Sequence, residues 1–368
     1  MSNTGDLIHV VSYEDISRRR ARLGRILIRG TFLVLMLALG AQLLQALGVW
    51  DLGFTNWQPT LYAYVAWCIA LCVGQVLIRG EQGKKILFVL PAALFVVSLT
   101  IIPLVLGIAI AFADWNLSSP TGPRFAGLGN IEKMLSDPFY WNALTNMVWY
   151  SLGVIVEYAI AFGLAMLLSL QIRARRFFRV AFLLPLMLSP VAVSWMIGKS
   201  MLEFRFGPVS QLARALGWED PAFFASAETA RVTMSMLDAW TFIPLMMIML
   251  LAGLQALPPE VTEAARVDGA SAWQTFRKVI FPLMLPVSIT AIIVRIIFKL
   301  KLADLVINIT AGGPGGATDT VTSFIYREYR DRSNVGYGTL LAIFYLVVIV
   351  IALTGLMRGL SRWMKPYT

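Results

Sequence analysis

Long apolar runs separated by short charged clusters dominate the chain. Runs at about 30–48, 60–78, 86–112, 147–170, 180–200, 232–254, 283–303 and 339–360 are long enough for α-helices crossing a hydrocarbon core of about 30 Å, which takes roughly 20 residues. The pattern predicts an all-α, polytopic membrane protein with about eight transmembrane helices. Pro91 and Pro103 fall in the third run, Pro185 and Pro190 in the fifth. They predict kinks, tolerated where neighbouring helices satisfy the freed backbone groups.

Composition agrees. Apolar residues make up 58% of the chain and charged residues 14%, against nearly half and about a quarter in soluble domains. The basic residues set the orientation, because cytosolic loops are enriched in Lys and Arg. Placing the N-terminus in the cytosol puts Arg18, Arg19, Arg20, Arg22, Arg25 and Arg29 there, followed by Arg79, Lys84 and Lys85 and by Arg173, Arg175, Arg176 and Arg179. Arg266, Arg277, Lys278, Arg358, Arg362 and Lys365 join them, and together they outnumber the basic residues of the opposite side. Both termini are therefore expected in the cytosol. The net charge of +10 reads as topology and attraction to anionic membrane lipid, not as a nucleic-acid surface. The first helix, preceded by arginines and followed by no convincing cleavage site, reads as an uncleaved signal anchor. Cys68 and Cys72 stand one turn apart in the second run and read as apolar packing.

Between two apolar runs stands EAARVDGASAWQTFRKVIFP, residues 263–282. A helix starting at Pro258-Pro259 places Glu263, Val267 and Ala270 along one side, and Asp268-Gly269 marks a turn before a second helical piece. In Glu263, Ala264, Ala265, Asp268, Gly269, Ala270, Phe276 and Pro282 the segment resembles the EAA loop of ABC importer permeases. In that family the loop docks into a groove on the ATP-binding subunit, so the resemblance implies that Glu263, Ala264, Ala265, Asp268, Gly269 and Ala270 couple the chain to ATP hydrolysis.

Two further stretches extend the resemblance. Trp115, Asn116, Gly127, Leu128, Asn130, Asp137, Tyr140, Trp141, Ala143, Leu144 and Asn146 follow the order found in sugar-type permeases, implying a periplasmic surface that meets a substrate-binding protein. ITAGGPGGATDT, with Trp240, Pro244, Gly253, Leu254, Gln255 and Pro258 upstream of the EAA loop, resembles the maltose-type, carbohydrate-uptake branch. The implied organisation is a cytosolic tail with two extra helices over 1–85 and a type I ABC importer permease core over 86–368, its coupling loop at 258–282.

Catalytic chemistry finds little support. The single histidine, His9, lies in the N-terminal tail, so neither a histidine-based triad nor a metal cluster within the membrane can be built. The run from Gly80 to Lys85 lacks Walker A spacing, and Gly312 to Gly316 lacks a lysine. The chain is not expected to be an enzyme or to hold a cofactor or metal; ATP and Mg are expected in partner subunits.

Ionisable residues inside spans mark pathways or pairs. Arg295 and Lys299 are i and i+4 on the seventh run and share a face; Asp238 opens the sixth. By position, Asp238, Thr241, Phe242, Leu245, Arg295, Phe298, Lys299 and Leu302 match the residues with which the maltose-type permease lines its sugar site. The other reading of the cations is structural: pairing with Asp238 or Asp304, or snorkelling. Glu157 reads as a subunit-contact or helix-pairing residue. With Asp238 as the one nearby carboxylate, a surplus positive charge is expected, suited to a polyol or to a polyhydroxylated solute with an acidic group.

The resemblance implies the transmembrane subunit of a bacterial inner-membrane ABC importer for a sugar, polyol or sugar derivative. Its expected partners are a second, homologous permease, two ATP-binding subunits, a periplasmic binding protein and membrane lipid, without nucleic acid. The alternative is a secondary transporter or channel, which commonly shows internal repeats.

Overall fold

The computed structural model describes residues 4–46, 51, 53–170 and 173–364. Residues 47 and 48 at the end of the first predicted span, the His9 side chain and Lys365 lie outside the described residues. The chain is helical almost throughout and divides into two compact units, residues 1–133 with 332–343 and residues 134–331 with 344–368.

The first unit contains α1 (Thr4–Ala46), α2 (Gln58–Arg79) and α3 (Glu81–Ala111). Helix α1 begins well before the predicted span at residue 30, because the arginine- and leucine-rich stretch leading into the span favours helix and lacks proline. Helices α1 and α2 cross where both backbones are bare: a Cβ on Gly24 would stand 2.9 Å from the Gly74 carbonyl oxygen, and one on Gly74 would stand 2.6 Å from Ile28. Small residues permit this approach in membrane helices. Gly80, at φ +56°, ends α2 and starts α3 within one residue. Beyond α3, β1 (Ala113–Asp114) pairs antiparallel with β2 (Arg124–Phe125). Asn130 donates to the Ala111 and Ala113 carbonyls at 2.9 Å, and Asn116 donates to Asn334 Oδ1 at 2.7 Å.

After α4 (Gly129–Ser136), the second unit is built on α5 (Pro138–Ser169), α9 (Ala227–Ala256) and α12 (Phe281–Leu300). Asp137 caps α5 by accepting from the Phe139 and Tyr140 amides. The core joins Val154, Ala161 and Phe162 of α5 to Met246, Met247 and Leu250 of α9 and Met284 of α12.

Among the described residues, seven helices are long and apolar enough to cross a membrane, and a broken pair makes an eighth if it is counted as one span. That pair corrects the fifth predicted span. Helix α6 (Arg175–Met187) and the segment Pro190–Met201 are bent by 94°. Pro190 cannot continue a helix but is suited to start one, and Ser189 caps the new helix by accepting from the Ala192 amide at 3.1 Å. Helix α7 (Pro190–Val193) then passes into a π-helical turn over Ser194–Met201. Short helices elsewhere in the unit include α8 (Pro208–Ala215), α13 (Asp304–Ile309) and α14 (Val321–Arg330). The last helix, α15, runs over Val335–Met364.

Candidate functional site

Helices α5, α9 and α12 converge on four charged side chains. Glu157 comes from α5, Asp238 from α9, and Arg295 and Lys299 from one face of α12. Arg295 Nε donates to Glu157 Oε2 at 2.5 Å and Lys299 Nζ donates to Glu157 Oε1 at 2.8 Å. Asp238 Oδ2 accepts from both Arg295 Nη2 and Lys299 Nζ. Arg295 and Lys299 are 0% exposed, Asp238 1% and Glu157 4%. An isolated charge so placed would be very costly; pairing with good hydrogen bonds makes it tolerable.

Two cations face two carboxylates, so the expected surplus positive charge is absent from this cluster. Glu157, read from sequence as a helix-pairing residue, is the fourth member. An intramembrane carboxylate was the only signal for it; nothing along the sequence says which helix it meets. The Arg295 guanidinium also lies 4.7 Å from the centre of the Phe242 ring, and Phe242 stands 5.4 Å from Phe298.

Beside this cluster lies a cavity of about 230 Å³. Five of the eight candidate substrate residues line it: Asp238, Thr241, Phe242, Phe298 and Leu302. Arg295 and Lys299 stand behind Asp238 without lining the cavity, and Leu245 does not line it either. Pro190 reaches the wall because the helix breaks there, and Lys301 and Asp304, where α12 gives way to α13, supply further charge. The Thr241 hydroxyl donates to the Leu237 carbonyl at 2.9 Å, leaving its oxygen lone pairs as acceptors. The cavity thus combines an aromatic pair, two carboxylates and an ammonium.

At the far end of α9, Pro258 and Pro259 start α10 (Pro259–Val267). Its carbonyls are closed off by Asp268, Gly269 and Ala270, whose amides donate to Ala264, Arg266 and Ala265, each at 3.0 Å. Gly269 takes φ +74°, the left-handed geometry that glycine adopts without a Cβ penalty. Ala270 follows the turn, so it does not continue the Glu263 and Val267 face as expected. Ser271 and Gln274 form a reciprocal capping box that opens α11 (Ala272–Thr275). A π-helical turn, Phe276–Ile280, leads into α12 and sets Phe276 edge-on against Phe162 at 5.6 Å. Ala264, Ala265, Asp268, Gly269 and Ala270 line one groove of about 480 Å³, while Glu263 is exposed on the helix outside it.

The base of this loop is tied down. With its amide oxygen facing them, Gln255 accepts from Arg175 Nη2 at 2.9 Å and Arg179 Nη2 at 2.5 Å. Arg175 Nε donates to the Leu168 carbonyl at 2.6 Å. The ends of α5, α6 and α9 therefore share one network. The glycine-rich loop after α13 is held in a comparable way: Asn142 and Asn146 donate to the Gly316 carbonyl at 2.7 and 3.0 Å, and Arg231 donates to Ala317 at 2.8 Å.

Residues 158–366 match the model of the family described as binding-protein-dependent transport system inner membrane component. The chain belongs to this permease family. The permease is 30% identical over 266 residues to the sulfoquinovosyl glycerol transport system permease protein SmoG of Agrobacterium fabrum, covering 72% of this chain and 86% of that one. It is 28% identical to the probable starch degradation products permease AmyD of Thermoanaerobacterium thermosulfurigenes, over 72% of this chain and 89% of the relative. Among solved structures, the permease matches a chain of a bacterial ABC transporter that imports the acidic polysaccharide alginate, with a TM-score of 0.67 at 19% identity, over 77% of this chain and 96% of the other. That match establishes the ABC importer permease fold.

Proposed function

We propose that the permease forms the membrane path of an ABC importer for a sugar or sugar derivative, and that the cavity beside the charge cluster holds one polyhydroxylated ring at a time. The observation that supports this most is the composition of the cavity wall. Asp238 and Asp304 offer carboxylate oxygens to hydroxyl donors, Lys301 offers donors to ring or hydroxyl oxygens, and Phe242 with Phe298 offers an apolar face. Hydrogen bonds to ionised groups are the strong ones. At about 230 Å³ the cavity is smaller than the roughly 300–1,000 Å³ of pockets enclosing drug-sized ligands, which suits a single ring or a chain end. The names of relatives, starch degradation products, sulfoquinovosyl glycerol and trehalose/maltose among them, point to the same class.

With the cluster internally neutral, a neutral polyol needs no countercharge from Arg295 or Lys299. Those residues hold Asp238 in place, and Asp238 presents its carboxylate to the solute. On this reading residues 86–368 form the transport core, both termini and the loop over 258–282 face the cytosol, and ATP and Mg are bound by two partner subunits. Glu263, Ala264, Ala265, Asp268, Gly269 and Ala270 are the surface those subunits move. A second permease completes the path. A periplasmic binding protein delivers the solute; a bacterial alginate ABC transporter of this fold has been crystallised in complex with an alginate pentasaccharide-bound periplasmic protein.

Asp304 and Phe298 are the cleanest probes, since both line the cavity and neither belongs to the charge cluster. In proteoliposomes containing the whole transporter and excess loaded binding protein, Asp304→Asn and Phe298→Ala should each slow uptake at least about tenfold, the loss of one charge-assisted hydrogen bond or apolar face, with basal ATP hydrolysis unchanged. Uptake at the unmodified rate in both variants would place the solute elsewhere.

A further inference from the structure

Between α1, α2 and α3 the first unit holds a partly open cavity of about 570 Å³, which shares no lining residue with the cavity described above. Its walls are apolar almost throughout: Leu35, Met36 and Leu39 on α1 and Ile101 and Val105 on α3 face α2 across it. Of the polar groups in this wall, which include Gln58, Tyr64 and Ser98, two are without a partner among the described residues. Thr60 is 7% exposed and its hydroxyl has no partner; the Trp67 indole nitrogen is buried and likewise unpaired.

Among the described residues, the other buried polar side-chain groups of these helices are paired, Gln45 Oε1 and Gln75 Oε1 excepted. Thr31 on α1 and Thr100 on α3 donate to the carbonyls four residues back at 2.8 and 2.9 Å. Tyr64, also in the cavity wall, is hydrogen-bonded to Ser98 and to the Leu94 carbonyl. Thr60 sits in the first turn of α2, where no preceding helical turn offers a carbonyl. An indole nitrogen can only donate. The Trp67 ring packs 5.7 Å from Phe32, about two turns further along α2 than Thr60. In a membrane no bulk water relieves such groups. An occupant must therefore be apolar along most of its length and bring an acceptor oxygen to Thr60, at the end where α2 starts.

The cavity also has a length. From Phe32 to Leu39 on α1 and from Val97 to Leu106 on α3, at about 1.5 Å per residue, it extends roughly 10–14 Å along the helices. That is about half of a hydrocarbon core of about 30 Å, the depth of one leaflet. A transmembrane helix of a partner subunit would need a groove running the full thickness. Trp57 and Gln58 stand at the start of α2, and tryptophan concentrates at the level of lipid headgroups.

We propose that this cavity is a binding site for one phospholipid, with an acyl chain between α1, α2 and α3 and a glycerol ester carbonyl accepting from Thr60. The lipid is then a fixed part of the first unit, completing the packing that the three helices leave open.

The test uses the whole transporter in nanodiscs containing phosphatidylethanolamine with a diazirine on its acyl chain. Photolysis should label residues facing the cavity, such as Leu39 and Ile101, well above the outward-facing Phe88 and Phe95, and native mass spectrometry should retain one phospholipid per chain. Ile101→Trp fills the cavity and should abolish both signals. Thr60→Val keeps shape and removes the donor; it should speed lipid release by about two- to tenfold, the worth of one hydrogen bond, and it serves if the bulkier variant fails to fold. Equal labelling of cavity and outward faces, unchanged retention in both variants, or crosslinks joining the cavity to another subunit would each overturn the proposal.

Discussion

In the first unit α1 and α2 meet where neither Gly24 nor Gly74 carries a side chain, whereas in the second α5, α9 and α12 meet around four charges. Both arrangements answer the same difficulty. Inside a bilayer, burying apolar surface against a neighbour gains little, because lipid is equally apolar. Close backbone approach gains dispersion and is indifferent to charge. A charge cluster instead specifies which helices meet and in what register, and it tolerates the loss of no single member.

The largest expected effect follows from that intolerance. Arg295→Ala leaves two buried carboxylates against one ammonium and should destabilise the permease by about 3–5 kcal/mol, seen as failed assembly or a sharply lowered melting temperature of the purified transporter. Charge-balanced removal, Glu157→Gln with Lys299→Met, should recover most of that stability. If the double variant melts no higher than Arg295→Ala, balance is not what the cluster supplies. Next in size is Gly24→Leu in the first unit, where overpacking costs about 1–3 kcal/mol; cysteine crosslinking between α1 and α2 should weaken while the second unit keeps its protease resistance.

The spans were legible in sequence because length and apolarity decide them locally. The shape of the loop over 258–282 was too, because Pro258-Pro259 and Gly269 each act on their own backbone. The cluster was only partly legible. The spacing of Arg295 and Lys299 put them on one face, but their partners lie 57 to 142 residues away, and no periodicity reports which helices meet. Pro185 and Pro190 announced a bend; its 94° angle depends on where the following segment packs. The networks at Gln255 and Asn146 join elements distant in sequence and gave no local signal.

A smaller effect separates charges that hold from charges that signal. Glu263 is exposed, so Glu263→Lys should shift stability by no more than about 0.5 kcal/mol and yet abolish substrate-stimulated ATP hydrolysis in the reconstituted transporter; stimulation at the unmodified level would remove the coupling role. The mildest change tests sidedness. Single cysteines at Ser118 and Ala272, both exposed, with Cys68 and Cys72 replaced, should react with impermeant reagents from opposite sides and leave transport intact. Labelling of both from one side would overturn the expected number of crossings between them, and labelling from the reversed sides would overturn the expected orientation.

The internal neutrality of the cluster reaches beyond stability. A single unbalanced charge carried across a membrane potential changes the energy of a conformational step by about 2.3 kcal/mol per 100 mV. Helices α5, α9 and α12 hold two cations and two carboxylates in mutual contact, so a rigid displacement of the three together moves no net charge through the field from this site. Import of a neutral solute should then proceed at the same rate in energised and depolarised vesicles, with voltage contributing nothing that ATP must overcome.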